Sequence, residues 1–196
     1  MNYALNPGPI AHPEVPIFLG AVGPKMTELA GEVSDGLMTH PTNTSPRYLR
    51  EATLPALAAS AKSGARDARR LELLAGGFIA TGRDEATVAR EREHARELFT
   101  FLYSTPAYWP TLELYGWLDV GEKLHALTRE GRWGEMAGAI RDEMLDALVP
   151  QGTYAEIAKI VRNWYGSLAT RINFPLPADP ADDPLAARAI AELRSA

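Results

Sequence analysis

"FLGAVGPKM" (residues 18–26) decides how the rest of the chain is read. Apolar residues run straight into Gly-Ala-Val-Gly-Pro and then a lysine, the pattern of a strand that stops, turns tightly and opens a helix. Proline suits a first helical turn because its missing N–H would be unpaired there anyway. Beyond Pro24, Met26, Leu29, Ala30 and Val33 recur at helical spacing. Upstream, "VPIFLGAV" (15–22) is a short continuous apolar run, as expected of a strand buried on both faces. Residues 15–33 therefore read as one βα unit.

The unit repeats. "DGLMTHP" (35–41) is a second strand candidate, and "SPRYLREATLPALAASAKSG" is a helix with Ser45 as N-cap, Pro46 in the first turn and Gly64 as terminator. Pro55 inside it predicts a kink or a split. "RRLELLAGGFIATG" (69–82) is a third strand candidate, followed by the charged amphipathic helix "RDEATVAREREHARELFTFLYS". Residues 105–152 break the alternation and read as a helical insertion without a strand, with Trp133, Met136, Ile140 and Met144 on one apolar stripe. Next come the helix "TYAEIAKIVRNWYG", a fourth strand candidate "LATRINFPL" (168–176) and a C-terminal helix over 179–196. Residues 1–14, rich in proline, form an extended lead-in.

Repeated βα units imply a parallel sheet with right-handed crossovers. Four such units in a single α/β domain of 196 residues fit either a small open sheet or half of an eight-stranded barrel, which normally needs about 250 residues. Spacing alone leaves both open.

Composition narrows the class. With 46% hydrophobic and 23% charged residues, the chain can bury a sizeable core as a soluble protein. A net charge of −5 without a basic stripe argues against a nucleic-acid surface. The absence of cysteine excludes disulfides and thiolate metal sites and fits a reducing compartment. The first residues lack the basic and apolar regions of a signal peptide, and no run approaches about 18 uncharged apolar residues. The expectation is a cytoplasmic protein with no membrane contact.

Several stretches invite a chemical reading. Free N–H groups at the helix start after Gly20–Lys25, helped by the helix dipole, attract phosphate or carboxylate. Glycine permits close approach and Lys25 adds a charge, although the same turn also serves as a plain βα connection. The stretch is not a Walker loop and lacks dinucleotide-fingerprint spacing. His40 follows the second strand at its C-terminal end, where α/β active sites gather, and suits either a cofactor contact or a structural role. His12, His94 and His125 read as structural or solvated. "STPAYWP" (104–110) either lines a pocket for a planar ligand or packs the insertion onto the body. "RDEMLD" (141–146) reads as a solvated helical face, and no histidine–carboxylate cluster has metal-site spacing.

Together, "PIFLGAVGPKMTELAGEVSDGLMTHP", "YLREATLPAL", "FLYSTPAYWPTLELYGW" and "IRDEMLDALVPQGTYAEIA" resemble the luciferase-like oxidoreductases, closest to the branch that uses the deazaflavin coenzyme F420. The resemblance runs from about Pro9 to Pro175. It implies a (β/α)8 barrel with the cofactor at the C-terminal ends of the strands, of which this chain carries strands five to eight: a half TIM barrel with a helical insertion before the last strand. It implies that Gly20, Ala21, Val22, Gly23 and Pro24 shape the turn beside the coenzyme's phosphate-bearing side chain, with Lys25 and His40 as neighbours. FMN is the alternative cofactor, with monooxygenase chemistry. A small organic molecule is the implied substrate, and no catalytic residue is assigned. A half barrel exposes two sheet edges, so either an N-terminal half-chain or a homodimer is expected to complete it. A non-catalytic remnant is the remaining alternative.

Overall fold

The computed structural model describes residues 8, 14–65, 67–136 and 138–195. The lead-in and His12 lie outside the described residues, apart from Gly8 and Glu14. Strand β1 (Phe18–Ala21) ends in the turn and helix α1 (Pro24–Val33) that the opening stretch predicts. β2 (Gly36–Thr39) follows and pairs with β1 in parallel, Phe18 opposite Gly36 and Ala21 opposite Thr39.

The second helix is split around Pro55. A first turn, α2 (Pro46–Tyr48), leads through a π-helical stretch (Leu49–Thr53) into α3 (Leu54–Ser63). Ser45 caps it by accepting from the Tyr48 N–H at 3.2 Å. Pro55 cannot donate to the carbonyl four residues back, and the widened turn just before it accommodates that lost bond.

Three strand expectations need correction. The stretch 69–82 is not one strand but two, β3 (Glu72–Ala75) and β4 (Ala80–Gly82). The break falls at Gly76, whose N–H donates to Thr39 Oγ1 at 3.1 Å, and where a Cβ would lie 2.2 Å from the Thr39 carbonyl oxygen. The insertion is not free of strand at its end: Gln151–Thr153 forms β5, which pairs with β4 as a separate parallel ribbon. The last strand, β6, covers only Arg171–Ile172 of the predicted 168–176. Pro175 and Pro177, lacking N–H groups, cannot extend its ladder.

The main sheet has the order β1-β2-β3-β6, all parallel. Its side chains alternate between two unlike faces. Ala21, Leu37, Leu73 and Ala75 point into one apolar core with Ala30 of α1, Leu57 of α3, Ile157, Val161 and Tyr165 of α8 (Ile157–Tyr165) and Ala189 of α9 (Asp183–Arg194). Phe18, Gly20, Gly36, Met38, Glu72 and Leu74 occupy the alternate positions, on the face opposite that core. Met38 there is 47% exposed. A doubly wound sheet carries helices on both faces; here α1, α3, α8 and α9 share one.

The insertion has its own core. α4 (Glu85–Leu102), α5 (Pro110–Tyr115), α6 (Leu118–Arg129) and α7 (Asp142–Leu148) bury Phe99, Leu112, Leu124, Ile140 and Met144 completely. Of the predicted stripe, Met136, Ile140 and Met144 are buried, whereas Trp133 sits in a 3-10 turn (Trp133–Glu135) and is 52% exposed. The C-terminal segment makes a 3-10 turn (Pro180–Asp182) and then α9.

Candidate functional site

The carboxyl ends of β1, β2 and β3 converge on a dense knot of small polar side chains. Thr39, Thr42, Asn43, Thr44 and Ser45 are all buried. Buried polar groups must be hydrogen-bonded, and these are. Thr39 and Thr44 hydroxyls meet at 2.7 Å, and Thr44 Oγ1 also donates to the His40 carbonyl at 2.7 Å. Thr39 Oγ1 reaches β3 by accepting from the Gly76 N–H at 3.1 Å, and lies 3.3 Å from the Leu74 carbonyl.

Asn43 ties the first turn to this knot. Its amide nitrogen donates to the carbonyls of Ala21 (3.1 Å) and Val22 (3.2 Å), and its Oδ1 accepts from the His40 N–H at 2.8 Å. The predicted site residues Ala21, Val22 and His40 are thus joined through one side chain that motif and spacing did not single out. The only signal for it was the run "HPTNTSP" directly after a strand, unusually rich in small hydrogen-bonding residues.

Asn43 holds the carbonyls of Ala21 and Val22 in the turn. Gly23 is the N-cap of α1 in an extended conformation, and no side chain caps that helix end. A Cβ at Gly23 would meet nothing within 4 Å, so the space before it is open. Pro24 and Lys25 are exposed, as is Gly20, while Ala21 is buried. The set of uncapped N–H groups, an open approach and a nearby ammonium fits an anionic group.

His40 is half-buried at the end of β2 and begins a 3-10 turn (Pro41–Asn43). Its Nδ1 accepts from the Thr42 N–H at 3.4 Å and lies 2.9 Å from Thr42 Oγ1. A backbone N–H can only donate, so the neutral ring carries its proton on Nε2. Burial pushes its pKa below the ordinary 6.5. The ring stacks on Tyr108 at 4.7 Å with 9° between planes.

"STPAYWP" packs the insertion onto the strand ends. Trp109 packs the insertion, donating Nε1–H to the Tyr103 carbonyl at 2.8 Å, and Tyr108 reaches across to His40. Tyr103, fully buried, donates to the Thr42 carbonyl at 3.3 Å and so fastens the insertion to the strand ends. The other described histidines stay away from this knot: His94 is exposed near Glu97, and His125 contacts the Ser104 carbonyl at 2.9 Å. In "RDEMLD", Asp142 and Asp146 pair with Arg92 at 3.2 and 2.8 Å. Among the described residues, no group of three His, Asp or Glu is arranged to hold a metal ion, and no helix is long and apolar enough to cross a membrane.

Comparisons with known proteins bear on the family and the fold. An uncharacterized protein of Mycobacterium tuberculosis is 38% identical over 172 residues, covering 88% of this chain and 50% of that one. A 5,10-methylenetetrahydromethanopterin reductase of Methanolobus tindarius is 32% identical over 143 residues, 71% of this chain and 41% of the reductase. The solved coenzyme F420-dependent tetrahydromethanopterin reductase of Methanopyrus kandleri superposes with a TM-score of 0.67 at 20% identity, over 91% of this chain and 49% of that one. The fold is therefore half of a TIM (β/α)8 barrel, and the chain spans about half the length of the relatives it matches. Residues 2–171 match the luciferase-like monooxygenase family, and the chain belongs to it.

Proposed function

We propose that this chain is the C-terminal half of an oxidoreductase barrel that holds coenzyme F420 and serves hydride transfer to or from a small organic substrate. One observation carries the reading: the uncapped, open start of α1 at the carboxyl end of β1, fixed by Asn43 beside His40. The names of the similar reductases, one of them F420-dependent, support the cofactor.

In this reading the turn Gly20–Lys25 holds the phosphate-bearing side chain of the cofactor. The N–H groups of Gly23 and of the first turn of α1 donate to the phosphate, and Lys25 adds its charge at the rim. Neutral His40 keeps Nε2–H as a further donor, backed by the Tyr108 ring. Gly20 and Met38 lie on the open face, where a planar ring has room. When bound, F420 supplies or accepts the hydride, and the protein's part is to bind and orient it. The open face must be covered before water is excluded, so an N-terminal half-chain or a second copy completes the site.

Fluorescence titrations of the chain with F420 and with FMN test the proposal. Saturable quenching by F420 is expected, weakened about 2- to 5-fold in Lys25→Ala by loss of a charge at the helix start, and weakened further in Gly23→Val, whose branched side chain occupies the approach. Binding of FMN alone would reassign the chain to flavin-dependent monooxygenase chemistry. A folded chain, with any partner half present, that binds neither is a non-catalytic remnant.

A further inference from the structure

We infer that the two outer edges of the sheet, unpaired among the described residues, pair with the opposite edges of a second copy of this chain, closing an eight-stranded barrel about a two-fold axis. The inference deepens the half-barrel part of the proposal above and does not depend on the cofactor.

β1 and β6 are the outermost strands of the four-stranded sheet, and all four run parallel. A two-fold axis along the strand direction sets β1 of one copy beside β6 of the other, twice, and keeps every strand parallel. Closure removes both edges, and closed sheets are how parallel strands avoid open-ended association.

The two edges are unlike each other, and they complement each other. The β1 side is a ridge. Met26, Leu29 and Val33 line one flank of α1, and Val15 and Ile17 precede β1; all five are at least 40% exposed. The other flank of α1 is occupied by α3, where a Cβ at Gly31 would collide with Ser60. An apolar stripe at positions i, i+3 and i+7 is the mark of a helix face that belongs against something.

The β6 side is a groove of about 990 Å³ between β6, α8 and α9, floored by apolar side chains that include Ile172, Phe174, Ile190 and Leu193. It also holds an unanswered donor, since Arg162 Nε is buried without a hydrogen-bond partner. Arg162 and Arg194 make this end basic, whereas the exposed Glu14 stands just ahead of β1. In the two-fold arrangement α9 of one copy lies beside α1 of the other, ridge against groove, with Glu14 at the basic end.

Light scattering on the purified 196-residue chain tests this without any cofactor, so its outcome is separate from that of the F420 titration. The expected mass is twice the chain mass of 21.4 kDa. The ridge variant Leu29→Lys/Val33→Lys changes only side chains that are already exposed, and is expected to keep the helical circular dichroism while weakening the dimer at least tenfold. A wild-type monomer with a cooperative melt overturns the inference. So does a dimer that survives the ridge variant, or one dispersed instead by Phe101→Ser/Trp133→Ser on the far side of the insertion. Should the ridge variant fail to fold, two copies fused through a flexible linker decide: a single species of the fused mass is expected, and continued growth into larger assemblies refutes closure.

Discussion

The two faces of one sheet behave as if they belonged to different proteins. Leu37 and Met38 are neighbours on β2, yet Leu37 is 1% exposed and Met38 47%. Side chains alternate along a strand, so a single strand serves two environments. One face is finished, with α1, α3, α8 and α9 laid over Leu37 and Leu73. The other carries Phe18, Met38 and Leu74 and a polar pair, Arg171 with Glu72, with the Arg171 guanidinium 5.4 Å above the Phe18 ring. Alternation along one strand thus places a packed side chain next to an exposed one, and only the packed face is laid against helices named above.

The contrast can be broken most directly at those two neighbours. Leu37→Ala is expected to cost about 2–5 kcal/mol, the range for emptying a packed core site, whereas Met38→Ala, made in the monomeric Leu29→Lys/Val33→Lys background, stays within about 0.5 kcal/mol, as for a surface change. Urea unfolding followed by circular dichroism measures both; equal losses would show that the second face is already covered. Gly76→Ala probes the point where the chain leaves the sheet. A Cβ there meets the Thr39 carbonyl at 2.2 Å, and a cost of about 1–3 kcal/mol is expected from overpacking against backbone.

Asn43→Ala sharpens the comparison at the strand ends. It strips a buried donor from the Ala21 and Val22 carbonyls and an acceptor from the His40 N–H. A loss of about 1–3 kcal/mol is expected for polar groups left unpaired. Faster hydrogen exchange confined to residues 20–26 and 40–44 would accompany it; uniform acceleration across the sheet would contradict a local role.

The smallest effect is a pH dependence. Folded His40 takes up its proton less readily than the unfolded residue at 6.5. The unfolded chain therefore holds more protons just below 6.5, so this group's contribution is fully present above that value and is lost as pH falls through the depressed folded value. Protonating Nδ1 also removes the acceptor for the Thr42 N–H. An NMR titration of the His40 ring should give a midpoint below 6.5, and His40→Gln should flatten the corresponding slope in thermal melts; a midpoint at or above 6.5 contradicts the assignment.

Much of this was legible in the residues. "FLGAVGPKM" announced a strand, a turn and a helix with its proline at the first position, and that is the order found from Phe18 to Val33. Pro55 announced a split helix, and the π-helical stretch lies just ahead of it. Local rules sufficed there because each outcome depends on missing N–H groups or steric limits within a few residues. The division of 69–82 was not legible, since Gly76 leaves the sheet because of Thr39, 37 residues earlier in the chain. β5 escaped notice for a similar reason: three residues become a strand only because β4 lies alongside.

The sequence by itself determined the βα units, the tight turn with its unhindered helix start, and the family. The tertiary structure alone decided that Asn43 would tie Ala21, Val22 and His40 together, and that Tyr108 would stack on His40 from 68 residues away. It also decided that Met38, on the face opposite the core, would stay exposed. Turns and caps are governed by neighbours in sequence, whereas a site and an interface are governed by neighbours in space, and periodicity along the chain carries no distance between its parts.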